Sequence, residues 1–208
     1  MQSLATRAGK AGMGLSNLQG RKSMSNHSVA VLLCVVLILS SGHVLRADDG
    51  ETAGRDSVQG FNLKDYRGKE YSLSDFQKSK FVVGIFLGTE CPLAKLYAQR
   101  LAKLSEEYGP KGVTFVGFNS NQQDSLTEIA SYARQHSIKF PILKNLGNTF
   151  ADQVGAERTP EVLVWDDEGL VRYRGRIDDQ FGVGYVRNEP TRHDLTIALA
   201  DISHLGFA

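Results

Sequence analysis

The sequence predicts an α/β fold with a central mixed β-sheet flanked by helices, and three observations indicate it. Two apolar runs, Phe81 to Gly88 and Val113 to Phe118, have the composition of central strands covered on both faces. Each run is followed by a segment with helical spacing of apolar residues, 91–108 and 125–136. Because strands and helices alternate, we expect the two central strands to lie parallel.

Antiparallel hairpins are predicted on either side of these central elements. Residues 61–73 alternate apolar and polar side chains around Gly68, which predicts an N-terminal β-hairpin extension. The turn-forming segment Asp166–Gly169 separates two further strand-like segments. The other predicted elements are a short strand at Phe140–Leu143, a small helix at Asn148–Val154, strands at Glu161–Trp165 and Leu170–Arg176, and a last helix at Thr191–His204.

The N-terminal part has the features of a secretory signal peptide. The uncharged apolar run Val29–Leu39 follows basic residues and is too short to span a bilayer comfortably. Two residues, Val44 and Ala47, occupy the −4 and −1 positions of a predicted cleavage site before Asp48, and Ala47 is the small residue expected at −1. We therefore expect an exported protein, periplasmic or extracellular, with no stable membrane span after cleavage. An uncleaved membrane anchor is the alternative interpretation.

Length and charge limit the remaining possibilities. The 208 residues, 41% hydrophobic and 23% charged, suffice for one globular domain plus a short appendage. The predicted organisation is a signal peptide at 1–47, a polar linker at 48–60 and one domain at 61–208. Beyond residue 47 the formal net charge is −4, and the absence of a basic stripe argues against nucleic-acid binding. Neither the histidines nor the pair Asp178-Asp179 has metal-ligand spacing, so no metal and no cofactor are predicted.

Cys91 is the candidate nucleophile, because it follows the first central strand directly and begins the next helix. The other cysteine, Cys34, lies within the predicted signal peptide. A helix start has unpaired N–H groups and the positive end of the helix dipole, which stabilise a thiolate. Pro92 suits the first helical position, where no N–H is needed. Glu90 would disfavour the thiolate, and Lys95, one turn later, would offset it. An inert buried cysteine is the alternative.

With these residues in this order, the chain resembles thioredoxin-fold proteins, and it looks most like the exported redoxin or peroxiredoxin-like branch. The resemblance covers about residues 57–203. It implies that Pro160 forms a cis peptide bond beside the reactive cysteine, and that Pro92, Thr159 and Pro160 contact the substrate. The residues that carry it are Phe61, Leu63, Asp65, Gly68, Leu73 and Phe76 in the first hairpin, Gly88-Thr89-Glu90-Cys91-Pro92 at the site, and Thr159-Pro160 before the final hairpin.

The site also departs from this family in two respects. A dithiol oxidoreductase needs Cys-x-x-Cys, but Ala94 occupies the second cysteine position, so autonomous dithiol chemistry is excluded. Typical peroxiredoxins have threonine three residues before the cysteine, whereas this chain has Gly88 there and Thr89 one position later. The resemblance also implies an arginine beside the thiolate, and Arg158 is the candidate for it.

These features lead to the hypothesis of an exported, cofactor-free thiol oxidoreductase of peroxiredoxin-like type. Cys91 would attack a hydroperoxide or a protein disulfide, assisted by the Thr89 hydroxyl and the Arg158 guanidinium, and an external thiol would reduce it. The alternative is a non-catalytic redoxin-fold module that docks a partner. Copper delivery of the Sco type is disfavoured. A Sco-like copper site resembles two cysteines plus a distant histidine, whereas the predicted mature chain has one cysteine, and His136 and His193 lie far from any second soft ligand. The sequence leaves the oligomeric state open.

Overall fold

The computed structural model describes residues 56–182 and 184–205. The predicted signal peptide and most of the predicted linker lie outside these residues. The strands are β1 (Asn62–Asp65), β2 (Glu70–Ser72), β3 (Phe81–Phe86), β4 (Val113–Asn119), β5 (Ile142–Lys144), β6 (Glu161–Asp166), β7 (Val171–Gly175), β8 (Phe181–Gly182) and β9 (Tyr185–Val186). The helices are α1 (Pro92–Tyr108), α2 (Leu126–Gln135), α3 (Thr149–Val154) and α4 (Asp194–Leu205).

Seven of these strands form one mixed sheet in the order β2-β1-β5-β4-β3-β6-β7, as the sequence predicts for the fold class. The neighbours β3 and β4 are parallel, whereas β3 and β6 are antiparallel, with Phe86 opposite Glu161. The carboxyl ends of β3 and β4 therefore meet the amino end of β6 at one edge of the sheet. This edge carries the candidate site.

The central strand β3 is buried on both faces because its side chains alternate between two apolar clusters. Val83 and Ile85 pack with residues of α1, α2 and α4, while Val82 and Phe86 pack with Phe150 and its neighbours on the opposite face. Gly84 is required in this strand, because a Cβ there would lie 2.6 Å from the ring of Trp165. Trp165 is itself buried.

Several boundaries differ from the predictions. The packed region begins before Phe61, since Ser57 bridges to Leu170 and Val58 is buried. Helix α4 begins at Asp194, because the Asp179 carboxylate holds the Thr191 and Arg192 amides outside the helix.

The small hairpin formed by β8 and β9 was not predicted. On α1, Leu96 is 52% exposed, while Ala94 and Ala98 are buried. Within the described residues, no helix is long and apolar enough to cross a membrane.

Candidate functional site

Cys91 occupies the N-cap position of α1, as predicted from the sequence. Pro92 is the first helical residue, and the Cys91 carbonyl accepts a hydrogen bond from the Lys95 amide at 3.0 Å. The Cys91 amide donates to the Gly88 carbonyl at 3.2 Å, which closes the turn between β3 and the helix. The thiol is partly buried and makes no capping hydrogen bond with the helix. The sulphur is therefore available for other contacts.

The thiol lies against the loop that precedes β6. Its Sγ donates a hydrogen bond to the carbonyl oxygen of Thr159 at 3.2 Å, and the peptide bond from Thr159 to Pro160 is cis. The two segments meet because β3 and β6 are antiparallel neighbours, so the end of one strand adjoins the start of the other. Thr159 and Pro92 are exposed and Pro160 is partly buried. The structure thus brings together Cys91, Thr159 and Pro160.

Thr89 lies within this turn and is 4% exposed. Its amide donates to Oδ2 of Asp124 at 2.7 Å. Its hydroxyl oxygen has no hydrogen-bond partner among the described residues. A buried hydroxyl without a partner costs free energy, and such groups are uncommon in folded proteins. The Thr89 hydroxyl is therefore a free hydrogen-bonding group two residues from Cys91.

Asp124 is a site residue that the sequence reasoning missed. The carboxylate is 3% exposed and also accepts hydrogen bonds from the side-chain amides of Asn119 at 2.6 Å and Asn121 at 2.8 Å. Lys144 donates to Asn119 Oδ1 at 3.0 Å and to the Asp124 carbonyl at 2.7 Å, and burial lowers the pKa of its ammonium group. One signal was available, since polar residues that follow β4 must lie beside the turn that follows its parallel neighbour β3.

Four titratable groups lie in α1 and the turn before it, or interact with that helix. Glu90 and Lys95 form an ion pair at 3.0 Å, so the two opposing charges noted in the sequence offset one another. The Tyr132 hydroxyl donates to the Ala94 carbonyl at 2.9 Å. Burial raises the pKa of Tyr132, with a further contribution from the charge of Cys91. Burial also lowers the pKa of His136, as does the nearby charge of Lys95.

Arg158 is not brought into contact with the thiol. It is exposed and makes no hydrogen bond or ion pair with another of the described residues. Asp178 and Asp179 are buried, and their carboxylates accept hydrogen bonds from other parts of the chain. Among residues 56–182 and 184–205, no cluster of three histidine, cysteine or acidic side chains could hold a metal ion.

Comparisons with known proteins agree with the fold. The sequence model of the AhpC/TSA family matches residues 55–174. A relative named thiol-disulfide oxidoreductase ResA, from Halalkalibacterium halodurans, is 28% identical over 57% of this chain. That match spans 65% of the relative, just under two thirds of its length.

Solved structures are similar over most of the described residues. A hypothetical protein of Sinorhizobium meliloti has 27% identity and a TM-score of 0.65, over 71% of this chain and 82% of that one. The peroxidoxin BcpB of Mycobacterium tuberculosis, at 21% identity, has a TM-score of 0.56 over 72% and 96% of the two chains, which shows a likeness of fold. The predicted thioredoxin-like fold is confirmed.

Proposed function

We propose that this chain, which belongs to the AhpC/TSA family, is a thiol oxidoreductase that uses Cys91 as its single nucleophile. One observation carries the proposal. The Cys91 sulphur lies at the start of α1, is partly exposed, and contacts the Thr159 carbonyl next to the cis peptide bond. A helix start supplies free amides and a positive dipole end, both of which stabilise the thiolate that such chemistry requires.

The proposed reaction is the one-cysteine peroxidase cycle. The Cys91 sulphur attacks a hydroperoxide, so that an S–O bond forms and the O–O bond breaks. Sulphur is oxidised to the sulfenic acid, the hydroperoxide is reduced to an alcohol or water, and the thiol proton ends on the departing oxygen. The Thr89 hydroxyl, which has no partner among the described residues, is proposed to hydrogen-bond the reacting oxygen or the thiolate. Arg158 is exposed beside Thr159 and is proposed to orient toward a bound substrate.

An external thiol must complete the cycle. Ala94 occupies the place of a second cysteine and is buried, so no thiol on α1 can resolve the oxidised sulphur. One reducing thiol displaces water from the sulfenic acid to give a mixed disulfide, and a second thiol releases reduced Cys91. The same sulphur could instead attack a protein disulfide, with the external thiol again resolving the mixed disulfide. Export through the predicted signal peptide is part of the proposal, and residues 1–47 lie outside the described residues.

The decisive experiment measures peroxide oxidation of the reduced full-length chain. A Cys34→Ser background leaves Cys91 as the single thiol of the chain. Stopped-flow kinetics with hydrogen peroxide and trapping of the sulfenic acid would follow the reaction, and Cys91→Ser provides the control. We expect Cys91-dependent oxidation that is faster than that of free cysteine.

The other outcomes decide between the remaining possibilities. Oxidation no faster than that of free cysteine would refute the peroxidase reaction. Rapid reaction with a small aromatic disulfide would then retain the disulfide-exchange form of the proposal. If the thiol were slow toward both reagents, a non-catalytic docking module would be the better description.

A further inference from the structure

We propose that Asp124 is a positioning residue, which holds the turn from Gly88 to Cys91 by accepting the Thr89 amide. It thereby keeps the Cys91 thiol at the Thr159 carbonyl. This inference rests on the proposed function of Cys91, and it assigns the control of the thiol's position to a residue on a different element. Asp124 follows β4 and precedes α2, whereas Cys91 begins α1.

The contact between Asp124 and the turn is direct and buried. Asp124 Oδ2 lies 2.7 Å from the Thr89 amide nitrogen, and the Cys91 amide closes the same turn on the Gly88 carbonyl at 3.2 Å. A Cβ on Gly88 would lie 3.9 Å from Asp124 Oδ2, 3.8 Å from Cys91 Cβ and 4.0 Å from Thr159 Oγ1. The carboxylate, the cysteine and the loop before β6 therefore converge on one point.

The turn needs this support because the usual capping contact is absent from α1. Pro92 has no N–H, and the Cys91 side chain makes no capping hydrogen bond. By contrast, α2 begins with a complete capping box, in which Ser125 and Glu128 each bind the other's amide. A capping side chain both stabilises a helix start and fixes the entry of the chain into it. The Cys91 side chain instead contacts the Thr159 carbonyl, so it does not cap the helix. Asp124 fixes the entry of the chain into α1 by accepting the Thr89 amide.

The Asp124 carboxylate is itself held rigidly. It accepts three hydrogen bonds, from Thr89, Asn119 and Asn121, and Lys144 binds its backbone carbonyl. A carboxylate with three donors already engaged is suited to fixing geometry. Its role is therefore assigned to the acceptor atoms rather than to proton transfer with the thiol.

The test compares Asp124→Ala with Asp124→Asn in the full-length Cys34→Ser chain. The asparagine variant keeps an acceptor for the Thr89 amide but removes the charge and the acceptor of Asn121, whereas alanine removes all three. The rate of Cys91 alkylation by iodoacetamide would be measured as a function of pH, together with the rate of oxidation by hydrogen peroxide. We expect Asp124→Ala to slow both reactions by about tenfold, as the loss of a buried hydrogen bond implies. Asp124→Asn should restore both rates to within about twofold and should leave the pH profile unchanged.

Asp166 offers a matched control at the other end of β6. It is also a buried aspartate whose carboxylate accepts backbone amides, from Glu168 and Leu170, but it lies away from the thiol. Asp166→Ala should lower the free energy of unfolding without slowing alkylation. If Asp166→Ala slowed alkylation as much as Asp124→Ala, the effect would be general destabilisation and the inference would be wrong.

Three further results would overturn the inference. In the first, Asp124→Ala and Asp124→Asn slow alkylation equally, which would mean that the acceptor for the Thr89 amide is not the cause. In the second, neither substitution slows alkylation. The unsubstituted chain could show rapid hydrogen exchange of the Thr89 amide, which would exclude a persistent bond to Asp124 even if the alanine variant failed to fold.

The proposed function can fail separately from this inference. Slow peroxide oxidation of the unsubstituted chain would remove the peroxidase reaction. The alkylation comparison would still report whether Asp124 positions the thiol.

Discussion

The amide of Thr89 is hydrogen-bonded and its hydroxyl is not. Asp124 accepts the amide, while the hydroxyl lacks a partner among the described residues. We predict that Thr89→Val raises the free energy of unfolding by about 1 kcal/mol, because a buried, unpaired hydroxyl pays a desolvation cost that a methyl group does not. The same substitution should slow peroxide oxidation of Cys91. Urea unfolding and stopped-flow oxidation measure the two effects.

Thr114→Val is the matched control for this prediction. The Thr114 hydroxyl is bonded to the Ser79 hydroxyl at 2.6 Å, so its loss should lower the free energy of unfolding instead. An unchanged or lower stability of Thr89→Val would mean that the Thr89 hydroxyl is satisfied in solution. An unchanged oxidation rate would remove it from the proposed mechanism.

Residues whose positions depend on their neighbours in the chain could be predicted from the sequence. Cys91 and Pro92 follow an apolar strand directly, and Pro160 precedes a second strand, so their positions could be predicted from neighbouring residues. Asp124 could not be assigned in the same way, because its role depends on which strands are adjacent. Arg158 directly precedes Thr159, as the sequence shows, but its long side chain is exposed, and the position of its backbone does not direct it toward the thiol.

Among the elements, α1 is the one that connects the candidate site to the C-terminal segment. Beyond β7, the Asp178 carboxylate accepts the Tyr97 hydroxyl at 2.7 Å and forms an ion pair with Arg100, both on α1. Tyr97 also packs edge-on against Phe181 with ring centroids 5.0 Å apart. Asp178 and Phe181 lie beyond the part that the family model matches, which ends at residue 174. They hold the hairpin of β8 and β9 against the helix that Cys91 begins.

We predict that Asp178→Ala lowers the free energy of unfolding by about 2 to 3 kcal/mol, because it removes the carboxylate that accepts from the buried Tyr97 hydroxyl and pairs with the partly buried Arg100 guanidinium. Chemical denaturation measures this change. Glu107→Ala, near the end of α1, breaks an exposed ion pair with Lys111 and should change the free energy of unfolding by less than about 0.5 kcal/mol. Equal effects of the two substitutions would contradict the inference that the contacts of Asp178 with α1 stabilise the fold.

The hairpin of β8 and β9 shows why some elements escape prediction from sequence. Each strand has two residues, which is too short for an alternating pattern to be recognised. Its position depends on Asp178 and Tyr97, which are 81 residues apart in the chain. The long strands β3 and β6 were predicted because burial on both faces leaves a continuous apolar run in the sequence.

For the molecule as a whole, two groups make stability depend on pH in separate ranges. The pKa of Asp179 is held well below its ordinary value of 3.8 by hydrogen bonds from the Thr191 hydroxyl and from backbone amides. Its contribution is present above pH 3.8 and is lost as the pH falls through the lower, folded-state pKa. Burial lowers the pKa of His136 from its ordinary value of 6.5, so the effect of this group on stability falls at a higher pH than that of Asp179.

We predict that the free energy of unfolding begins to fall as the pH decreases below 6.5, and that His136→Gln reduces this dependence. Between 6.5 and the lower pKa of folded His136, the unfolded chain binds more protons than the folded chain, so acid favours unfolding. Urea titrations of both proteins above and below this pH measure the slope. His193→Gln is the matched control, since His193 lines a cavity with Arg100 and Asp178 that His136 does not line. An equal slope in the unsubstituted chain and in His136→Gln would show that His136 titrates alike in both states. Its position beside Lys95 would then have no effect on stability.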